Sequence, residues 1–493
     1  MGAASSISTN RSTSSCSRPT RRPSPCRRPP GGGASPGEGP IEAAEPTRAG
    51  AGPTGDGLPV GASRLRHLVG YARKVYALGE LLGAIRDGRN APKTSARLVA
   101  TTLLFAGLLR IRSFNALEPR LAEPPFLRLV GGPPDRLRLC SADVLGRALR
   151  RMEPAGVRRL LIQVVAQAER NKVFREGWCG ALRYVALDGW EPIQSYRRHC
   201  RSCLVRRVKV KTRDGVVLEV DQYYHRYVVA MLLDPRFDLV LDFEPLLPSD
   251  LRERGPGVNE GHEGELTAAK RLLRRVKHTY GWLDVAVGDA LYANGPFLSV
   301  VAALRMGAVV VAKKPGEEPL REALALWGGA PPAQIVRDDP AREEIALWDC
   351  PGLTTLASYP GPIRVVRAQV KGLAAPESRP HTWSMLVTGQ ATRLPAPRVL
   401  TVARARWHLE NTGFHQFTTR WRFTHVFVHD GHAIQMLFWL FFAAFNLLTL
   451  FLYRQLRSYG RDRGTDPTRT ISRLVDEMLD DLARLTVSPW DTS

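Results

Sequence analysis

No acidic residue precedes Glu38 in this chain, and acids stay scarce beyond it: 47 Asp and Glu stand against 70 Lys and Arg, a net charge of +23. An excess of that size favours a polyanion or a membrane surface as partner. Cysteine is also sparse. Seven residues, an odd number over 493 positions, fit a reducing cytoplasm better than a disulfide framework. The N-terminus lacks the apolar stretch of a secretory signal, and one long apolar run stands out, Ile434–Leu452. Hydrophobic residues make up 44% of the chain, enough for ordinary cores, and the length calls for more than one folding unit.

Residues 1–62 read as a disordered basic tail, because Ser, Pro, Gly and Arg dominate and too little apolar material offsets the entropy of folding. Six arginines between Arg11 and Arg28 are either DNA-phosphate contacts or solvated charge. Residues 63–178 carry helical periodicity, as in Leu65, Leu68, Val69, Ala72, Val75 and Tyr76, and Ser141 is a candidate N-cap before Val144, Leu145 and Leu149. This module is either a DNA-binding domain or a helical packing domain with a charged outer face. A core over residues 179–455 and a tail over 456–493 with one amphipathic helix complete the expected organisation.

Within the core, Tyr184–Trp190 (YVALDGW) reads as a buried strand that ends at Asp188, with Gly189 turning the backbone away. Further β-type runs follow at Val205–Thr212, Val216–Tyr223 and Tyr227–Leu233, the first two joined by an Asp214-Gly215 hairpin turn. A helix over Glu265–Tyr280 leads to a strand, Leu283–Gly288, that ends at Asp289. The strand Ala308–Ala312 then runs into Lys313-Lys314. Residues 314–400, rich in Pro and Gly with more β-type runs, read as an inserted β-rich subdomain. A helix from about Thr401 carries Arg406, Trp407 and Glu410. The order describes a mixed α/β core.

Asp188, Asp289 and Glu410 thus form a candidate set of three carboxylates. Phosphoryl transfer on DNA by two Mg²⁺ ions requires such a set of hard oxygen ligands, one of them shared between the ions. Arg406, one helical turn before Glu410, could orient that carboxylate, hold a phosphate or form an ordinary helix ion pair.

At these residues the chain resembles a DDE transposase of a bacterial insertion sequence, the class with a ribonuclease H-like core and a β-rich insertion. The resemblance lies in YVALDGWEPIQS (Tyr184–Ser195), VAVGDALYANGPF (Val285–Phe297) and ARARWHLENTGFHQF (Ala403–Phe417), and spans about residues 140–455. It implies a bacterial cytoplasmic enzyme that cuts and rejoins double-stranded DNA at the terminal inverted repeats of its element and transfers it to target DNA. It also implies a homodimeric assembly, with Mg²⁺ (or Mn²⁺) held by Asp188, Asp289 and Glu410. Lys313, Lys314, Arg406 and Arg420 are the candidate DNA-phosphate contacts. The chain departs from the family in having Ala403 where a Tyr precedes the Arg, and Phe417 and Thr418 where a Lys follows the Glu.

Three features stand apart from this set. Cys200 and Cys203, with His225 and His199 nearby, are either a structural Zn²⁺ site or two reduced thiols. The histidines around the Glu helix (His408, His415, His425, His429, His432) lack regular ligand spacing and read as core or DNA-facing groups. Ile434–Leu452 meets the length of a membrane span, but the resemblance makes it a buried C-terminal helix and the protein one without a membrane partner. The competing readings of the whole chain are a catalytically decayed or repurposed DNA-binding protein and a membrane-anchored basic protein.

Overall fold

Strand β1 (Tyr184–Ser195) is the axis on which the sheet is assembled. A computed structural model describes residues 63–174, 182–212, 215–251, 261–313, 317–338, 341–373, 379–407, 409–421, 423–425, 427–454 and 467–491. The basic tail, Asp214, Lys314 and His408 lie outside the described residues. β1 does not stop at Asp188: it runs through Asp188 and Gly189 to Ser195, with a register shift between Trp190 and Ile193. Pairing with the antiparallel strand Val217–Leu233, which continues through Asp188 and Gly189, holds it extended where local sequence suggested a turn.

On one side, β3 (Val217–Leu233) lies antiparallel to β1. It is one long strand rather than two. Its first half pairs with β2 (Leu204–Lys211) and its second with β4 (Asp238–Pro245), both antiparallel. On the other side, β5 (Val285–Gly288) and β6 (Gly307–Val311) run parallel to β1. The order β4-β3-β1-β5-β6 is consistent with the ribonuclease H-like core that the resemblance implied. The inserted strands are β7 (Gln334–Asp338), β8 (Glu343–Leu353), β9 (Ile363–Gly372) and β10 (His381–Thr388). They continue the same sheet, because β10 pairs with the free edge of β6, and ten strands result.

Helices α1 (Arg64–Tyr76), α2 (Leu78–Gly83), α3 (Ala96–Leu108), α4 (Phe114–Leu117), α5 (Pro124–Val130), α6 (Ala142–Leu149) and α7 (Pro154–Arg170) precede the sheet. The core adds α8 (Glu265–Thr279), α9 (Gly295–Ala303), α10 (Glu318–Trp327), α11 (Ala396–Ala405), α12 (His415–Thr419) and α13 (Gly431–Arg454), and α14 (Pro467–Ala483) follows. Serine side chains cap α1 and α3, Ser63 accepting from the Arg66 N–H and Ser95 from the Leu98 N–H.

The apolar run Ile434–Leu452 forms most of α13, which packs on α3, α6, α7 and β4. Its most apolar 18-residue window is 94% buried within the protein. Two of the polar residues inside this run have hydrogen-bond partners: Gln435 donates to the Gly431 carbonyl at 3.3 Å, and Asn446 bonds β4. Asn446, fully buried, accepts from the Val240 N–H (2.9 Å) and donates to the Val240 carbonyl (2.8 Å), satisfying the outer edge of β4 where its pairing with β3 shifts register. Replacing Asn446 by Leu strands both backbone groups in the interior. We expect this to cost about 2–5 kcal/mol in urea unfolding, whereas Thr449→Val should be far milder. The buried Asp242 of β4 ties three helices together, accepting from Arg158 of α7 (2.9 Å), Arg275 of α8 (2.9 Å) and Trp439 of α13 (3.0 Å).

Candidate active site

Strand register aligns the first two carboxylates. In the β1–β5 pair, Tyr184 faces Val285, Val185 faces Ala286 and Ala186 faces Val287, a constant offset of 101 residues. Asp188 and Asp289 are separated by the same 101 positions. The paired register stops at Ala186 and Val287; continued two residues further along strands about 4.8 Å apart, it leads to Asp188 on β1 and to Asp289 just past the end of β5. Asp289 follows the last residue of β5 and caps the 3₁₀ turn Ala290–Tyr292, its Oδ1 accepting from the Leu291 N–H at 2.8 Å.

Glu410 arrives from a distant segment. The helix expected from Thr401 begins earlier, at Ala396, and its regular turns stop at Ala405, after which Leu409–Phe414 winds as a π-helical turn. Such turns displace side chains from helical spacing and recur at functional sites. Trp190, two residues beyond Asp188, docks this turn on β1. It stacks on Phe414 at 5.7 Å between ring centroids and 11° between planes, and Phe417, Phe423, Phe438 and Phe442 surround it. Phe417, where the resemblance led to the expectation of a Lys, is thus a core residue, and Ala403 is buried as well.

Arg406 joins the two halves. Its Nη1 donates to Asp188 Oδ2 at 2.9 Å and to Glu410 Oε1 at 2.6 Å. At 6% exposure it is a partner of carboxylates and has little surface to offer a phosphate. Lys313 and Arg420 are exposed, and Lys314 lies outside the described residues.

A fourth carboxylate faces the same place. Glu265, in the first turn of α8, accepts from the Tyr292 hydroxyl (3.0 Å) and from Arg226 Nη2 (2.6 Å). Its close approach to β1 depends on Gly189, where any side chain would collide with the Glu265 carboxylate and the Arg226 guanidinium. Burial, and the Glu265, Asp188 and Asp289 charges around it, hold the Tyr292 phenol well above its ordinary range, so it stays a neutral donor. Glu265 had no motif to mark it. A glutamate in a first helical turn is an ordinary partner of the helix dipole.

Burial pushes the Asp188 carboxyl up to about 7, with Glu410 and Glu265 adding to the rise and Arg406 and the Gly189 N–H opposing it. A carboxyl raised in this way retains its proton in the fold, so its contribution favours folding at low pH and is lost as pH climbs towards 7. Divalent cation binding needs the ionised form and runs the other way. The rise in thermal midpoint on adding Mg²⁺ should grow between roughly pH 5 and 7 and level off above. Asp188→Asn should flatten that profile. A Mg²⁺ shift independent of pH in the wild type would remove Asp188 from the metal site.

The Cys200 and Cys203 side chains meet His225 as the sequence suggested, and His429 joins them. The sequence reading had placed His429 among core or DNA-facing groups. All four ligand atoms lie within 4.8 Å of one another. His199 turns elsewhere and stacks on Tyr223 at 4.9 Å.

Residues 257–447 match the family model described as transposase DDE domain. The matched segment contains Asp289 and Glu410, along with α8, β5–β10 and α11; Asp188 lies upstream of it, on the strand that pairs with β5, and is linked to Glu410 through Arg406. No curated protein gives a significant match. The chain thus carries a segment similar to the transposase DDE domain, on a sheet consistent with a ribonuclease H-like core.

Proposed function

We propose that the protein cuts and rejoins DNA at the ends of a mobile element by two-metal phosphoryl transfer, with Asp188, Asp289 and Glu410 as the metal ligands. The β1–β5 register, whose offset of 101 residues equals the separation of Asp188 and Asp289, is the observation that supports this reading. The donor set suits Mg²⁺ or Mn²⁺: it is all carboxylate, and the Asp188 carboxyl, held near 7 by burial, gains from a cation beside it. When bound, the ions would activate the attacking oxygen and stabilise the leaving one.

The chain's own residues hold that set together. Arg406 ties Glu410 to Asp188, the Trp190–Phe414 stack fixes the glutamate's turn against β1, and Tyr292 and Arg226 orient Glu265 behind Gly189. The net charge of +23, with Lys313 and Arg420 on the surface, supplies affinity for DNA phosphates that weakens steeply with salt. Linear DNA bearing the sequences on either side of the gene, where this reading calls for inverted repeats, is the test substrate. Nicks that expose 3′ hydroxyls in Mg²⁺ or Mn²⁺, and none in EDTA, are the expected result. Specific binding to those ends without any cutting would instead make this a DNA-binding protein that no longer catalyses.

A further inference from the structure

We propose that Cys200, Cys203, His225 and His429 bind a structural Zn²⁺ ion that staples the strand of the first catalytic aspartate to the segment following Glu410. Four of the six separations between the ligand atoms are close to the edges of a zinc tetrahedron, and all six are within 4.8 Å. Zn–S bonds of about 2.3 Å and Zn–N bonds of about 2.0–2.1 Å put two sulfurs about 3.8 Å apart and a sulfur and a nitrogen about 3.5 Å apart. In the protein the Cys200 and Cys203 sulfurs are 3.8 Å apart. His225 Nε2 lies 3.5 Å from the first and 3.4 Å from the second, and His429 Nε2 lies 3.2 Å from Cys203 Sγ. A disulfide would need the sulfurs at about 2.05 Å.

The surrounding backbone is shaped for the same purpose. The Cys203 N–H closes a turn onto the Cys200 carbonyl at 3.0 Å, and the Cys200 N–H points at Cys203 Sγ at 3.3 Å. Gly431, two residues past His429, packs against this turn so closely that any side chain there would land on Ser202. Cys203 and His225 are buried, at 5% and 4% exposure. Thiolate and imidazole donors select a softer ion than the carboxylate site does, and four protein ligands leave no open position for chemistry.

The staple has a defined mechanical role. His225 pairs with Ile193 on β1, five residues beyond Asp188, and His429 stands nineteen residues beyond Glu410. The ion would therefore lock the two chain segments whose carboxylates must meet. The site stands independently of the reading of those carboxylates.

The test uses full-length protein purified without a metal-affinity tag and dialysed against Mg²⁺ buffer. One zinc per chain is expected, retained in Asp289→Asn and lost in the Cys200→Ser/Cys203→Ser double variant. Replacement by Co²⁺ should give the visible bands of a tetrahedral site with sulfur-to-metal charge transfer. His429→Cys, which keeps a fourth ligand, should retain the metal and raise the charge-transfer intensity by about half, as three thiolates replace two. Wild type isolated without zinc, or with Cys200 and Cys203 oxidised to a disulfide, would overturn the proposal. So would a Co²⁺ spectrum that His429→Cys leaves unchanged.

Discussion

Asp289→Asn is expected to abolish metal-dependent strand cleavage, by at least about 10³-fold, since it removes more than a single transition-state hydrogen bond. Thermal stability and DNA affinity should stay near wild type. The reason lies in what else Asp289 does. Its side chain caps the Ala290–Tyr292 turn through the Leu291 N–H, and an asparagine oxygen can accept that bond equally well. The charge is lost while the cap survives. Asp188→Asn is a less clean test, because it also deprives Arg406 of a partner in a largely buried position. Gel-based cleavage of end-bearing DNA, beside a binding assay on the same preparations, decides the matter. Equal cutting by wild type and Asp289→Asn would exclude Asp289 as a metal ligand.

The elements that sequence made legible are those whose own residues dictate their partners. β5 and β6 are short apolar runs buried on both faces, and α8 shows one clean apolar stripe. β4 escaped notice because Asp238, Asp242 and Glu244 interrupt its apolar pattern. Those acids are buried, and Arg158, Arg271 and Arg275, from helices far along the chain, accompany Asp242 and Glu244 there. The turn assigned to Gly189 was a local inference that strand pairing overrode: the glycine is there because Glu265 approaches it. The separation of Asp188 from Asp289 was visible as a number, but its meaning as a strand register required knowing that β1 and β5 are neighbours. His429 could not be read as a ligand for the same reason. It stands 226 residues from Cys203, and only the fold makes that distance short.

Arg406→Gln is expected to destabilise the metal-free protein by about 3–5 kcal/mol above pH 8, the usual cost of leaving a buried charge without its partner. Most of that cost falls on Asp188, whose side chain is 15% exposed, and little on Glu410, at 45%. The loss should depend on pH in a definite direction. Arg406 opposes the rise of the Asp188 carboxyl to about 7, so without it the proton is held to still higher pH. Near pH 6 both proteins carry a protonated Asp188 and should differ little. As pH climbs past 7 the wild type ionises beside its guanidinium while the variant must either keep the proton or bury a bare charge, and the gap opens. Mg²⁺ should narrow it, because a divalent cation takes over the neutralisation. Arg406→Lys should recover much of the stability, since a single nitrogen, Nη1, makes both contacts and a compact ammonium can stand in its place. Urea unfolding at pH 6 and pH 8.5, with and without Mg²⁺, separates these outcomes. A loss independent of pH and of Mg²⁺ would mean that Arg406 serves packing alone, and that the first aspartate and the glutamate are not coupled through it.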